Sequence, residues 1–189
     1  RTGLTVPPRL TPASLMAFAL RPRWCADYLT STAFSLPNVG AAEGSGGDLS
    51  TLSAYFAARM ERNITWSAVE RIAQYWGGSF AIKGIQSVRD ARMAAASGAT
   101  AVILSNHGGR QLDSAAPTID LLADIVDATG DRLEIILDGG IRRGSHIVKA
   151  LAMGATACMT GRPYLYGLSA FGAAGVARVL ELLRAETER

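Results

Sequence analysis

From Thr65 to the C-terminus the chain alternates between two hydrophobic patterns. Apolar residues recurring every three or four positions predict helices over 66–76, 88–97, 118–129, 144–153 and 172–187, with a short helical turn near 163–168. Short apolar runs between them predict strands over 79–83, 100–104, 133–137 and 155–159. Ser87 is placed to cap the helix that follows it, and Gly77-Gly78, Gly98, Gly130 and Gly154 stop helices. Strict alternation of helix and strand argues for parallel strands joined by crossover helices. The strands are apolar on both faces, as buried parallel strands are. An internal echo supports repeated units: Gly98-Ala99-Thr100-Ala101 and Gly154-Ala155-Thr156-Ala157 each join an Ala-rich helix to a strand. A barrel built from repeated βα units predicts such an echo more naturally than a Rossmann sheet does. Four strands do not close a barrel, which usually takes about 250 residues. The expected fold is therefore α/β, the C-terminal half of a TIM (β/α)8 barrel: strands five to eight with their helices, the first four strands missing. An open parallel sheet with a bare edge would be prone to aggregate.

Residues 1–63 read differently. Pro7-Pro8, Pro12, Pro22 and Pro37 punctuate them, and Gly44-Ser45-Gly46-Gly47 is a flexible stretch. Short helices are expected near 12–19, 22–30 and 48–60. The organisation is thus an irregular loop and helical segment over 1–63, inserted after the fourth barrel strand, and a half-barrel over 64–189. A first residue of Arg rather than Met points to a fragment or a processed chain. No apolar run reaches the roughly 18 residues of a membrane span. Cys25 and Cys158 fit no metal or redox spacing, which makes a reducing cytoplasm the default. The net charge of +3 comes from mixed signs along the chain, unlike the one-sided basic stripe of a nucleic-acid binder.

Chemistry gathers where the strands end. Ser105-Asn106-His107-Gly108-Gly109-Arg110 follows the apolar run Ala101–Leu104. Its histidine can exchange a proton near neutral pH, its arginine can grip a carboxylate or phosphate through two hydrogen bonds, and its glycines let backbone approach a ligand. The other strand ends give Lys83-Gly84, Asp138-Gly139-Gly140-Ile141-Arg142 and Gly161-Arg162. Each has a plain alternative. Lys83 could snorkel to solvent, Asp138 could cap a turn, and Gly139-Gly140 could be only a tight connection. Arg143 reads as a surface charge and His146 as structural. Together, however, the candidates fall on one rim of a barrel, the face where active sites are built. The glycine-rich ends of the third and fourth strands sit where barrels bind phosphate, since freed N–H groups and a guanidinium make an anion cradle.

The run Ser105 to Asp113 closely resembles the signature of the FMN-dependent α-hydroxy acid dehydrogenases and oxidases. Thr65-Trp66, Ile82-Lys83-Gly84-Ile85, Asp138-Gly139-Gly140-Ile141-Arg142 and Gly161-Arg162-Pro163 fall in that family's order and spacing. Arg1-Thr2-Gly3-Leu4 to Pro7-Pro8-Arg9-Leu10 resembles the stretch after its fourth strand, so the likeness covers essentially the whole chain. The resemblance implies FMN as cofactor and oxidation of an (S)-2-hydroxy acid, such as lactate, glycolate or mandelate, to the 2-oxo acid. His107 matches the base and Arg110 the residue that holds the substrate carboxylate. Lys83 matches the lysine beside the flavin N1 region, and Ser105 a flavin contact. Asp138, Gly139, Gly140, Ile141, Arg142, Gly161 and Arg162 match the ribityl and phosphate site. No metal is implied.

The departure from the family is the absence of its first four strands, which supply the carboxylate that orients the catalytic histidine. This chain alone is therefore expected to be inactive. The resemblance leaves the electron acceptor open among oxygen, a quinone and a cytochrome, and implies a tetramer at full length. Location is expected to be cytoplasmic, or peripheral on the inner face of the membrane through residues 10–60. There Leu15, Met16, Phe18, Leu20, Arg21, Arg23 and Trp24 could form an interfacial patch or pack at a protein contact. An inactive half-barrel fragment and another phosphate-binding TIM-barrel enzyme are the alternative readings.

Overall fold

The computed structural model of the chain describes residues 11–31, 58, 60, 61 and 63–189. The chain divides into two compact units, residues 1–62 and 63–189. In the first unit α1 (Pro12–Ala19) and α2 (Pro22–Thr30) each begin with proline, which suits a first helical position because the missing N–H has no helical partner there. Thr11 and Ser14 cap α1 reciprocally: Ser14 N–H donates to Thr11 Oγ1 (3.2 Å) and Thr11 N–H to Ser14 Oγ (2.8 Å). Phe18, Trp24 and Tyr28 stack in series, with ring centroids 5.7 and 5.3 Å apart. The opening stretch 1–10, the glycine-serine run at 44–47 and, but for residues 58 and 60, the helix expected over 48–60 lie outside the described residues.

The second unit alternates as the hydrophobic pattern predicts. Its elements are α3 (Trp66–Trp76), β1 (Ala81–Ile85), α4 (Val88–Ala96), β2 (Ala101–Leu104), α5 (Thr118–Thr129), β3 (Glu134–Asp138), α6 (Gly144–Ala152), β4 (Ala157–Met159) and α7 (Arg162–Thr187). The four strands form one sheet in the order β1-β2-β3-β4, every pair parallel. Successive strand residues point to opposite faces. On one face Ile82, Val102 and Ile135 share a row, as do Leu104, Leu137 and Cys158, and these pack with Ala91, Ala94, Leu122, Ile125 and Ala150 of α4, α5 and α6. The other face runs Lys83, Ile103, Ile136 and Ala157 in register, with Asp138 beside Met159. This face is only half-covered: Ile103 and Ile136 are intermediate, and Ala157 and Met159 are exposed.

The repeated Gly-Ala-Thr-Ala does the same work twice. Gly98 and Gly154 take positive φ (+87° and +99°) after α4 and α6. The alanine that follows is buried, and the threonine hydroxyl accepts a backbone N–H from the neighbouring strand: Thr100 from Phe80 (2.9 Å), Thr156 from Ile135 (3.2 Å).

Two elements differ from the expectation. β1 starts and ends two residues later than predicted, so Lys83 lies within the strand rather than at its end. Gly84 at φ +98° forms a bulge there, shifting the register between Lys83 and Ile85, and pairing resumes beyond it. The final helix spans 26 residues and is apolar and long enough by composition to cross a membrane. Its backbone is broken at Phe171 (φ −144°) and Gly172 (φ +60°), which leaves two arms each shorter than a span needs. The arms touch through Gly167 and Gly175, where an added Cβ would come within 2.6 and 2.0 Å of the opposing carbonyl oxygens.

Candidate active site

Alternation along the strands places Lys83, Ser105 and Asp138 together. Two residues beyond Ile103 and Ile136, Ser105 and Asp138 emerge on the half-covered face at the C-terminal ends of β2 and β3. Ser105 is fully buried, and its hydroxyl is the hub: it donates to Asp138 Oδ2 (2.7 Å) and accepts from the His107 backbone N–H (3.1 Å) and Lys83 Nζ (3.4 Å). Lys83 Nζ also pairs with Asp138 Oδ2. Burial pushes the Asp138 carboxyl up, but hydrogen bonds from Lys83 and Ser105, with the charges of Lys83 and His107, outweigh it and hold the group below its ordinary value. The result is an ionised carboxylate that fixes a lysine cation.

His107 leaves β2 with φ +54°, an uncommon conformation for a residue with a side chain. Its ring packs over the Gly84 bulge, so that a Cβ added at Gly84 would stand 3.2 Å from His107 Nε2. Among the described residues the ring makes no hydrogen bond. Asn106 steadies the turn: its Oδ1 accepts from Gly108 N–H (3.1 Å), and its Nδ2 donates to Ala116 O (3.3 Å). Arg110 closes this turn and carries no ion pair among the described residues. His107, Arg110, Asp138, Gly140, Arg142, Gly161 and Arg162 all line one concave space of ≈ 320 Å³.

The glycine turn after β3 is held carbonyl by carbonyl. Gly139 and Gly140 both take positive φ (+106° and +77°). Thr118 Oγ1, from the start of α5, donates to Asp138 O (3.0 Å), and Thr160 Oγ1, just past β4, donates to Ile141 O (3.2 Å). His146 Nδ1, from α6, lies 3.1 Å from Gly140 O and 3.3 Å from the Arg142 amide nitrogen. Arg142 has no side-chain partner among the described residues, whereas Arg162 donates to Gly108 O and ties the two loops together.

The candidate catalytic and cofactor residues lie at or near the C-terminal ends of the four strands, and the structure sorts them into groups. Asp138, grouped by resemblance with the ribityl and phosphate site, directs its carboxylate to Lys83 and Ser105. Sequence reasoning missed Asn106, Thr118 and Thr160, whose hydroxyl and amide groups grip loop backbone. Thr118 carried a usable signal, since a buried threonine at a helix start has few roles besides holding backbone. His146 stood out by type but was read as structural.

The family model for FMN-dependent dehydrogenases matches residues 1–189. An L-lactate dehydrogenase of Caulobacter vibrioides is 39% identical over 180 residues, covering 95% of this chain and 47% of that protein. A pre-mycofactocin synthase of Mycobacterium tuberculosis is 41% identical over 179 residues, covering 93% and 44%. The crystal structure of (S)-mandelate dehydrogenase, a monotopic membrane protein, superposes with a TM-score of 0.84 at 37% identity, covering 98% of this chain and 48% of that one. The chain thus spans about half the length of the curated relatives it matches. With motif order, sheet topology and likeness over nearly all its length in agreement, this chain belongs to the FMN-dependent dehydrogenase family.

Proposed function

We propose that the chain is the C-terminal half of a (β/α)8 barrel enzyme that oxidises a 2-hydroxy acid with FMN. Its four strands then correspond to strands five to eight, and residues 1–63 to an insertion after the fourth. The half-covered sheet face supports the half-barrel reading, because all-parallel sheets are normally covered on both faces. The observation that carries the functional reading is the meeting of a fixed lysine, the buried Ser105 paired with Asp138, and His107 beside Arg110 and a glycine turn.

FMN fits the residues present. A Cβ at Gly140 or Gly161 would meet nothing within 4 Å, so the turn and the start of α7 leave room for a ligand against backbone. Arg142, Arg162 and backbone N–H groups form the donor set a phosphate needs. Ser105, Lys83 and the run Asp138 to Arg142 would hold the rest. When bound, FMN supplies the acceptor for the two electrons that leave the substrate. Arg110 binds the substrate carboxylate through its paired N–H groups and fixes the orientation of the 2-hydroxyl carbon. His107 takes the proton, from the hydroxyl or from the α-carbon. Lys83, kept in place by Asp138 and Ser105, provides fixed positive charge where negative charge develops.

The test is His107→Ala in the complete reading frame that carries this chain. Turnover of L-lactate or (S)-mandelate should fall by several orders of magnitude while FMN remains bound. A near-normal rate would overturn the assignment of His107 as base. The likeness to pre-mycofactocin synthase favours a second reading, in which the same machinery oxidises a substrate other than a free 2-hydroxy acid. Bleaching of bound flavin by none of lactate, glycolate and mandelate would select it.

Peripheral membrane contact belongs to the same proposal. In the first unit Leu15, Met16, Leu20, Tyr28 and Leu29 are exposed beside the aromatic stack, with Arg21 at the N-cap of α2 and Arg23 in its first turn. Apolar and cationic groups in one short helical pair suit a membrane interface. A tetramer, and oxygen, a quinone or a cytochrome as final acceptor, complete the reading.

A further inference from the structure

The start of α6 lacks its usual cap. Arg143, at the N-cap position, makes no side-chain hydrogen bond to the helix. Gly144 N–H is satisfied by Glu186 Oε2 at 2.9 Å, from the far end of α7. His146 is the third residue of the helix, the position from which a side chain can reach back to the entering backbone. It does so: Nδ1 stands between Gly140 O and Arg142 N, within hydrogen-bond distance of each. A neutral imidazole nitrogen either donates or accepts, so Nδ1 holds the turn through Gly140 O in one tautomer and through Arg142 N–H in the other.

The turn needs that hold. Two successive glycines at positive φ have weak conformational preference of their own, and an anion site built from their N–H groups binds well only when they are ordered beforehand. Thr118 and Thr160 fix the carbonyls of Asp138 and Ile141 on either side. The stretch between them, Gly139-Gly140, is left to His146.

We propose that His146 is a positioning residue for the anion-binding turn, and that its Nδ1 sets how tightly the site holds a phosphate monoester. The inference rests on the FMN reading above and extends it to a residue outside the catalytic and cofactor set named there. It is tested by comparing FMN with riboflavin, which lacks the phosphate, through flavin fluorescence quenching on the complete polypeptide. His146→Phe keeps a ring but removes Nδ1, and His146→Asn returns a polar atom near the same place. His146→Phe should weaken FMN binding roughly five-fold, the worth of one hydrogen bond, and leave riboflavin unchanged. His146→Asn should restore FMN affinity to within about two-fold. Unchanged FMN affinity in His146→Phe, equal loss of both flavins, or failure of Asn to restore would each overturn the proposal. Wild-type protein that binds neither flavin would overturn the cofactor reading as well, and is distinguished by appearing without any substitution.

Discussion

Gly84→Ala tests whether the bulge in β1 sets the position of the His107 imidazole, the base proposed above. At φ +98° an alanine is strained by about 1–2 kcal/mol, whatever surrounds it. Its Cβ would stand 3.2 Å from His107 Nε2 and 3.9 Å from Cε1, so the ring must retreat by a few tenths of an ångström. His107 has nowhere easy to go, because its backbone N–H is tied to the buried Ser105 hydroxyl and its own φ is already unusual. Misplacing a reacting group by about 1 Å costs on the order of 100-fold in rate, and a smaller shift should cost roughly ten-fold in kcat. KM should change little, since the added methyl meets His107 and no atom of Arg110 is among its nearest contacts. Gly77→Ala is the matched control. Gly77 also sits at positive φ (+65°), but at the end of α3, where an added Cβ meets only Gln74 O at 4.0 Å. Both variants should lose stability by comparable amounts in urea melts. Only Gly84→Ala should slow the substrate-dependent bleaching of flavin in anaerobic stopped flow. Equal rates in the two variants would refute the claim that the bulge positions the base.

Two further outcomes follow from the charges at the strand ends. The Asp138 carboxyl is held below its ordinary value, so its ionised form favours the folded state. That contribution is fully present above about pH 3.9 and is lost as pH falls through the lower native value. Wild-type protein should therefore lose stability more steeply below about pH 4 than Asp138→Asn, and parallel acid limbs in melts from pH 3 to 6 would contradict this. Arg110→Lys retains the charge but not the planar fork, and should raise KM and lower kcat, for a loss of about ten-fold or more in kcat/KM. Unchanged steady-state kinetics would remove Arg110 as the carboxylate clamp.

The periodicity of the second unit made its fold legible, because helical stripes and short apolar runs alternate and glycines follow the helices. Element limits were less so. The shift in β1 could not be read, since Gly84 looks like a strand terminator while the backbone uses it as a bulge and continues to the buried Ile85. The side chains of the rim were legible as types but not as pairs. Nothing local says that Asp138 turns to Lys83, 55 positions away; the pairing exists because parallel register and alternation bring both to one face. The partners of Thr118, Thr160 and His146 were hidden for a related reason, although the histidine stood out by type. These side chains grip backbone carbonyls of a turn that no pattern of side chains records.

The geometry also separates what these residues complete from what they leave open. The cationic part is assembled within the chain: Lys83 is fixed by Asp138 and Ser105, and the glycine turn is clamped from three elements. The base is not. The His107 ring is located by contact with Gly84 and by its strained backbone, and no hydrogen bond among the described residues selects its tautomer. Contact fixes where an imidazole sits, but only a hydrogen bond at one nitrogen fixes which nitrogen can accept a proton. The half-covered face of the sheet, where Ala157 and Met159 lie exposed, is open to further packing, whereas the opposite face is closed by α4, α5 and α6. In the half-barrel proposed above, that open face is where the remaining strands would pack, and an orienting group for His107 would be sought on them.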